Sequence, residues 1–300
     1  MKEAGHKSGF VAVVGRPSTG KSSLVNALCG HKVSIVSPTP QTTRNRIRGI
    51  CTAPQGQAVF LDTPGLHNSR RRLNRHLRDL ATGSLSEVDA VLYVIDTSRA
   101  AGVEERFVAR LLGETQLPTI VCLNKIDLPR AAGEDPRRLI APMLPEATVI
   151  ETSALLGNGL DALREAVFAA LPQGELLYPE EFYTDQDPGF RIAELIREQA
   201  MLQTREELPH ALYVEISDME LREPEGDNGQ LLWLRAFLIV ERESQKGILV
   251  GKGGSRIKAI RQAAHREITR LFPYRIYLDL RVKVNPNWRG QEHLLTKLVR

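Results

Sequence analysis

Short apolar runs recur through the first half of the chain at Phe10–Val14, Ile47–Thr52, Ala58–Leu61, Ala90–Ile95, Thr119–Leu123 and Thr148–Ile150, separated by longer stretches of helical period. Alternation of this kind predicts βα units around a mostly parallel sheet. Most of the runs end in a glycine-bearing or acidic turn, and ligands of such sheets bind at the carboxyl ends of the strands. The pattern breaks at Leu171–Asp187, where Pro172, Gly174 and Pro179, with Pro188 just beyond, interrupt any period among acidic residues. A linker is expected at 173–188, between a first domain at 1–172 and a second at 189–300.

In the second domain Phe190–Leu202 reads as an amphipathic helix, and His210–Ser217 and Leu231–Glu241 as strands around the polar turn EPEGDNG. A short helix near Ser244–Val250, the loop GKGG, a basic helix from Ser255 to Leu271 and a last strand at Arg275–Val284 follow. The expected fold class is therefore α/β with a mostly parallel sheet, followed by an α+β domain of order α-β-β-α-α-β.

Composition adds limits. The 300 residues suffice for two domains, and 42% hydrophobic with 25% charged residues is the balance of a soluble globular chain. Cys29, Cys51 and Cys122 lie far apart, which excludes a disulfide framework or a Cys-rich zinc site and fits a reducing cytosol. The start MKEAGHKSG lacks the apolar core of a signal peptide, and no run approaches the ~18 apolar residues of a membrane span. A cytoplasmic protein is expected, with any association at the inner face of the membrane peripheral. Net charge is only +4, but basic residues crowd into Arg70–Arg78, Arg256–Arg270 and Arg275–Lys283. Taken alone, Arg70–Arg72 reads as a solvated face.

The chemistry begins at Gly15–Ser22, where G-x-x-x-x-G-K-S stands between an apolar strand and an amphipathic helix. Phosphates need many converging N–H donors, which a backbone free of Cβ clashes at Gly15 and Gly20 can supply, with Ser18, Thr19 and Ser23 in the same wrap. Lys21 brings a point charge to the β and γ phosphates, and the Ser22 hydroxyl is the expected Mg²⁺ ligand. Asp62-Thr63-Pro64-Gly65 ends the run AVFLD, so its carboxylate can serve the Mg²⁺ through a water while the Gly65 N–H senses the γ-phosphate. In Gln41-Thr42-Thr43-Arg44, Thr43 is the favoured residue to complete the Mg²⁺ shell when the γ-phosphate is present.

Asn124-Lys125-Ile126-Asp127 ends TIVCL, and the Asp127 carboxylate can accept N1–H and the exocyclic amine of guanine, donors that adenine does not present. Ser153-Ala154-Leu155 follows TVIET, placed for the Ala154 amide to donate to guanine O6. Together these segments predict a GTP/GDP site with catalytic candidates Lys21, Thr43, Asp62 and Gly65.

In the second domain, Gly251-Lys252-Gly253-Gly254 joins two helices after an α-β-β prelude, as a type II KH fold does to bring backbone close to nucleic-acid phosphates. Lys252, Arg256 and Lys258 supply charge beside an apolar platform of Ile248, Val250, Ile257 and Ile260. The terminal segment Asn285–Arg300, with Trp288, Arg289 and Lys297, reads either as added RNA contacts or, for Trp288, as a packing anchor. The basic stretch directly after DTPG further suggests that Gln41–Arg48 and Gly65–Arg78 press on the second domain and couple GTP to RNA.

GRPSTGKSSLVN, QTTRNRIRGI, DTPGLH, NKID and SAL resemble the Era branch of the translation-factor-like GTPases, and FYTDQDPGFRIAELIRE, ELPHALYVEI and VERESQKGILVGKGGSRIK extend the resemblance over nearly the whole chain. It implies GTP hydrolysis and binding near the single-stranded 3′ end of small-subunit ribosomal RNA during maturation of the small ribosomal subunit. GTP is expected to favour the RNA-competent state, and the protein to be a monomer. Two positions qualify it. Leu66 stands where Ras-type enzymes carry the glutamine that orients water, so turnover is expected to be slow. Ser18 stands where potassium-activated relatives carry Asn, so at most a weak response to K⁺ is expected. Three other readings share many of these residues: a signalling GTPase with a protein-binding second domain, a static RNA-binding factor, and a GTPase of tRNA modification.

Overall fold

The strand Lys7–Val14 (β1) lies inside a sheet whose strands are Ile47–Ala53 (β2), Gly56–Asp62 (β3), Ala90–Asp96 (β4), Thr119–Asn124 (β5) and Thr148–Glu151 (β6), in the spatial order β2-β3-β1-β4-β5-β6. This computed structural model describes residues 5–65, 84–204, 208–223 and 229–291, so Leu66, the basic run Arg70–Arg78 and the tail after Gln291 fall outside the described residues. The hairpin β2–β3 is antiparallel and every other pair is parallel.

Both faces of the sheet are covered, which is why its strands read as unbroken apolar runs. Val11 and Val13 point into one core with Leu24, Val25 and Leu28 of the helix Lys21–Cys29 (α1) and Leu163 and Val167 of Leu160–Ala170. The alternate residues Ala12 and Val14 point into a second core with Val108 and Leu112 of Val103–Gly113 (α2) and with Leu139 and Ile140 of Pro136–Ile140 (α3). Leu160–Ala170 is α4. Each fully buried Leu or Val contributes about 1.5–3 kcal/mol to this packing. Cys51 and Cys122 belong to the core, and burial pushes the Cys122 thiol up to about 12, so it stays protonated and unreactive.

The Pro-rich stretch after Leu171 is held against the sheet. Gln57, fully buried, accepts the Leu177 and Tyr178 N–H groups at 2.9 and 2.8 Å and donates to the Tyr178 carbonyl at 2.9 Å. The Ile50 N–H donates to the Tyr183 carbonyl at 3.0 Å, Thr184 Oγ1 donates to the Arg48 carbonyl, and Arg48 pairs with Asp185 at 2.6 Å. Tyr183 stacks on His31 with ring centroids 4.3 Å apart. The expected linker 173–188 is thus a strap along β2 as far as Asp185, where the first compact unit gives way to the second. It covers an edge strand that would otherwise present unpaired amides.

In the second unit Asp187 caps the helix Pro188–Leu202 (α5) by accepting the Phe190 N–H at 2.9 Å, so Pro188 opens a helix, where its missing N–H costs nothing. A short turn of helix at Leu208–Ala211 (α6) displaces the start of the next strand, Tyr213–Arg222 (β7), beyond the expected His210; β7 then runs past Ser217 through a bulge at Ile216/Asp218. Leu231–Val240 (β8) pairs antiparallel with β7 and parallel with Arg275–Val284 (β9). Glu243–Val250 (α7) and Ser255–Leu271 (α8) flank the GKGG loop. Ile192, Leu195 and Ile196 of α5, Ile260, Ala264 and Ile268 of α8, and Leu234, Ala236, Leu238, Leu278 and Leu280 of the sheet form its core.

Candidate functional site

The parallel arrangement brings the carboxyl ends of β1, β3, β4 and β5 to one edge of the first unit, and the motif residues gather there. Gly15 leaves β1 at φ +149°, where a Cβ would sit 2.3 Å from the Val94 carbonyl; Gly20 caps α1 at φ +94°, where a Cβ would meet Asn124 Nδ2 at 2.4 Å. Only glycine satisfies both positions. Thr19 Oγ1 donates to the Arg16 carbonyl at 3.1 Å, and the half-buried Ser23 lies in the first turn of α1. Lys21 is buried and donates to the Gly15 and Arg16 carbonyls at 3.2 and 2.9 Å. Burial pulls its pKa down to about 8, opposed by the charge of Asp62.

Ser22 Oγ and Thr43 Oγ1 lie 2.9 Å apart. Asp62, at the end of β3, is fully buried with no donor in bonding geometry to either carboxylate oxygen. Burial pushes its pKa up, while the nearby hydroxyls of Ser22, Ser34 and Thr43 and the Lys21 ammonium draw it back. A buried carboxylate left without donors is costly unless a cation compensates it. An oxygen set of Ser22, Thr43 and Asp62 fits a hard divalent ion such as Mg²⁺. Gly65 closes on the same loop: a Cβ there would stand 2.6 Å from the Pro17 nitrogen.

Asn124 Nδ2 donates to the Thr19 carbonyl at 2.9 Å, and its Oδ1 accepts from the Ala154 N–H at 3.1 Å and Thr152 Oγ1 at 3.2 Å. The Ala154 amide, expected to face a base oxygen, here donates to Asn124 Oδ1. Lys125, at φ +67°, donates to the Ser18 carbonyl at 2.8 Å and pairs with Asp96 at 2.7 Å, which lays its stem beside the loop. Ser153 Oγ donates to Asp127 Oδ1 at 2.5 Å and orients the exposed carboxylate, while Leu155 is 82% exposed. Ser18, at φ +64°, has a buried hydroxyl without a partner.

Sequence reading missed Asp96, Arg16 and Asn26, whose Oδ1 accepts the Val33 and Ser34 N–H groups at 2.8 Å and ties the chain after α1 back to that helix. Asp96 ends β4 at the same edge, a placement that an acidic residue closing VLYVID signals. Arg16 pairs with Glu104 and Glu105 of α2 at 2.5 and 2.7 Å, a contact with no local sequence signature.

In the second unit Gly251, Gly253 and Gly254 take φ of +73°, +58° and +77°, and a Cβ at Gly251 would meet that of Arg256 at 2.9 Å. Lys252 and Lys258 are exposed, whereas Arg256 is half-buried and donates to the Ile248 carbonyl at 2.8 Å, closing the last turn of α7. Ile248 is 46% exposed, but Ile260 is fully buried in the core and is no part of a surface platform, because it faces the sheet from α8. Trp288 is likewise buried, donating from Nε1 to the Ala211 carbonyl at 3.1 Å and meeting Tyr213 edge-on, so of its two readings the structure bears out the packing anchor.

A P-loop sheet with these converging segments, followed by a KH domain, defines an RNA-associated GTPase. A family model described as 50S ribosome-binding GTPase matches residues 10–125, and a KH domain model matches 207–289. GTPase Era of Treponema denticola is 48% identical over 97% of this chain and 99% of its own, and that of Borreliella burgdorferi 40% identical over 98% and 99%. Among solved structures, Aquifex aeolicus Era bound to GDP.AlF4- aligns at TM-score 0.86 and 36% identity over 97% of this chain and 98% of its own. Era in complex with MgGDPNP and nucleotides 1506–1542 of 16S ribosomal RNA aligns at 0.87 and 35% over the same shares. The chain belongs to the Era GTPase family.

Proposed function

We propose that this GTPase binds the 3′ region of small-subunit ribosomal RNA through its KH domain and assists assembly and rRNA maturation of the small ribosomal subunit, with RNA binding governed by the nucleotide. The observation that carries the reading is the likeness, over nearly the full chain, to an Era structure holding MgGDPNP and 16S nucleotides.

In this reading Gly15, Ser18, Thr19, Gly20 and Ser23 wrap the phosphates of GTP or GDP, and Lys21 neutralises their charge. Asn124, Lys125, Asp127, Ser153, Ala154 and Leu155 hold the guanine. Ser22, Thr43 and Asp62 would hold Mg²⁺, which supplies charge neutralisation on the phosphate oxygens when bound. The Gly65 N–H reads the γ-phosphate. With Leu66 unable to orient water, turnover is slow.

Gly251, Gly253 and Gly254 let the RNA backbone approach, and Lys252, Arg256 and Lys258 give it charge. The working division is 1–172 for nucleotide, 189–300 for RNA and 173–188 between them. The protein acts as a cytoplasmic monomer. Any membrane contact is peripheral, in keeping with the lack of a helix long and apolar enough to cross a membrane among the described residues. Multiple-turnover release of phosphate from GTP, lost in Lys21→Ala, tests the enzymatic half; single-turnover binding without release would contradict it.

A further inference from the structure

Asp96 ends β4 in register with Asn124 at the end of β5, so the two strands leave the sheet side by side. Its carboxylate is buried and well supplied with donors. Oδ1 accepts the Ser98 N–H at 2.9 Å and the Ser98 hydroxyl at 2.6 Å, while Oδ2 accepts the Lys125 ammonium at 2.7 Å. Arg99, half-exposed, approaches Oδ2 only to 3.6 Å. A buried carboxylate is tolerated when it is paired and hydrogen-bonded, and here its close counter-charge belongs to the base-side motif.

Lys125 depends on that pairing. Its backbone stands at φ +67°, a left-handed conformation that is costly for a residue with a Cβ, and its ammonium is divided between Asp96 and the Ser18 carbonyl at 2.8 Å. Thr97 braces the same corner, donating from its N–H and its hydroxyl to the Asn124 carbonyl, each at 3.0 Å. The Lys125 side chain is thus stretched between the end of β4 and the phosphate-side turn. One of its two acceptors belongs to that turn; the other, Asp96, is held independently by Ser98. A long lysine stem has much rotamer freedom to lose, and two fixed acceptors remove it before a ligand arrives.

We infer that Asp96 is a positioning residue for nucleotide binding: it holds Lys125 extended along the turn, so that the lysine stem is a ready-made wall for the flat face of the base, and it acts on the nucleotide through that lysine. A methylene stem covers an apolar face but reads no group on the base edge. Asp96 therefore adds affinity without adding selectivity for guanine, which stays with Asp127. The inference rests on the proposed role of Lys125 in holding guanine.

The test is the dissociation constant of GDP, and of IDP, which lacks the 2-amino group, for the full chain as wild type, Asp96→Asn, Lys125→Met, their double variant and Ser98→Ala. Asp96→Asn is isosteric, and its amide oxygen can keep the Ser98 donors while its NH2 turns toward Lys125, so the turn survives and the lysine loses its partner. Asp96→Asn and Lys125→Met are each expected to raise both constants about tenfold or more. The double variant is expected to go no further than the larger single effect, and Ser98→Ala to change either constant less than about twofold. Unchanged constants in Asp96→Asn overturn the inference, as does an effect that multiplies with that of Lys125→Met. An equal loss in Ser98→Ala also overturns it by marking a purely structural turn, and so does a loss for GDP well beyond that for IDP, which marks a disturbed Asp127. Wild-type binding by Lys125→Met overturns the base-holding reading of Lys125 itself.

Discussion

The Asn124 side-chain amide donates to the Thr19 carbonyl at 2.9 Å and ties the end of β5 to the turn that precedes α1. Gly20, next in the chain, stands so close that a Cβ would lie 2.4 Å from Asn124 Nδ2. The base-side and phosphate-side segments are therefore one mechanical piece. Gly20→Ala adds a clash to a left-handed backbone strain of about 1–3 kcal/mol. Nucleotide affinity is expected to fall about tenfold or more by calorimetric titration, and an unchanged affinity would mean that the loop relaxes freely.

Ser153 fixes Asp127 through a 2.5 Å hydrogen bond. Asp127→Asn replaces an acceptor by an amide that can donate, which suits the 2-oxo group of xanthine and opposes the 2-amino group of guanine. Preference is expected to pass from GTP to XTP, with GTP affinity down about 10²-fold in competition binding. Equal losses for both nucleotides would place Asp127 outside base recognition.

Gln57→Ala would strand the Leu177 and Tyr178 amides and the Tyr178 carbonyl of the strap. Each stranded buried group costs about 1–3 kcal/mol, partly relieved by water, so a loss of about 2–4 kcal/mol in urea unfolding is expected, with faster proteolysis within 174–185. A loss under about 0.5 kcal/mol would show that the strap is held by other contacts.

That strap marks where sequence legibility ended. The βα alternation placed each strand of the first unit to within a few residues, because period and flanking turns are local properties. Prolines and acidic residues signalled irregular backbone at 173–188 but could not say that it would be pinned, since the pin is Gln57, distant in sequence and unremarkable in the hairpin β2–β3. The nucleotide motifs were legible because each is a short segment with its own chemistry. Asn26 and Asp96 were not, because their roles come from contacts that only the folded chain creates. Ile260 misled for the opposite reason: an apolar residue near a basic loop reads the same whether it faces outward or into the core.

The Ser18 hydroxyl is a short, single oxygen where an Asn would extend an amide oxygen toward a monovalent cation. GTP turnover is expected to differ less than about twofold between K⁺ and Na⁺ at equal ionic strength, and a large K⁺ stimulation of phosphate release would refute the argument.

Lys252 is exposed in the GKGG loop, and its side chain takes part in none of the hydrogen bonds or ion pairs among the described residues, only its carbonyl accepting the Ser255 N–H. Lys252→Ala is expected to leave the melting temperature unchanged, weaken all RNA sequences alike and lower the salt slope of binding by about 1. Loss confined to one sequence would make Lys252 a base reader.

The central claim, nucleotide-governed binding of the ribosomal 3′ strand by the KH loop, is tested most directly by RNA affinity at fixed salt. Wild type and Gly253→Asp are compared with GTP analogue, GDP or no nucleotide, on the small-subunit 3′ strand and a scrambled one. Gly253 takes φ +58° with open space around its Cβ position, so the variant places strain and a negative charge at the loop without filling the core. The account predicts preference for the ribosomal strand with the GTP analogue, lost in Gly253→Asp; equal affinity for both strands in every nucleotide state would contradict it.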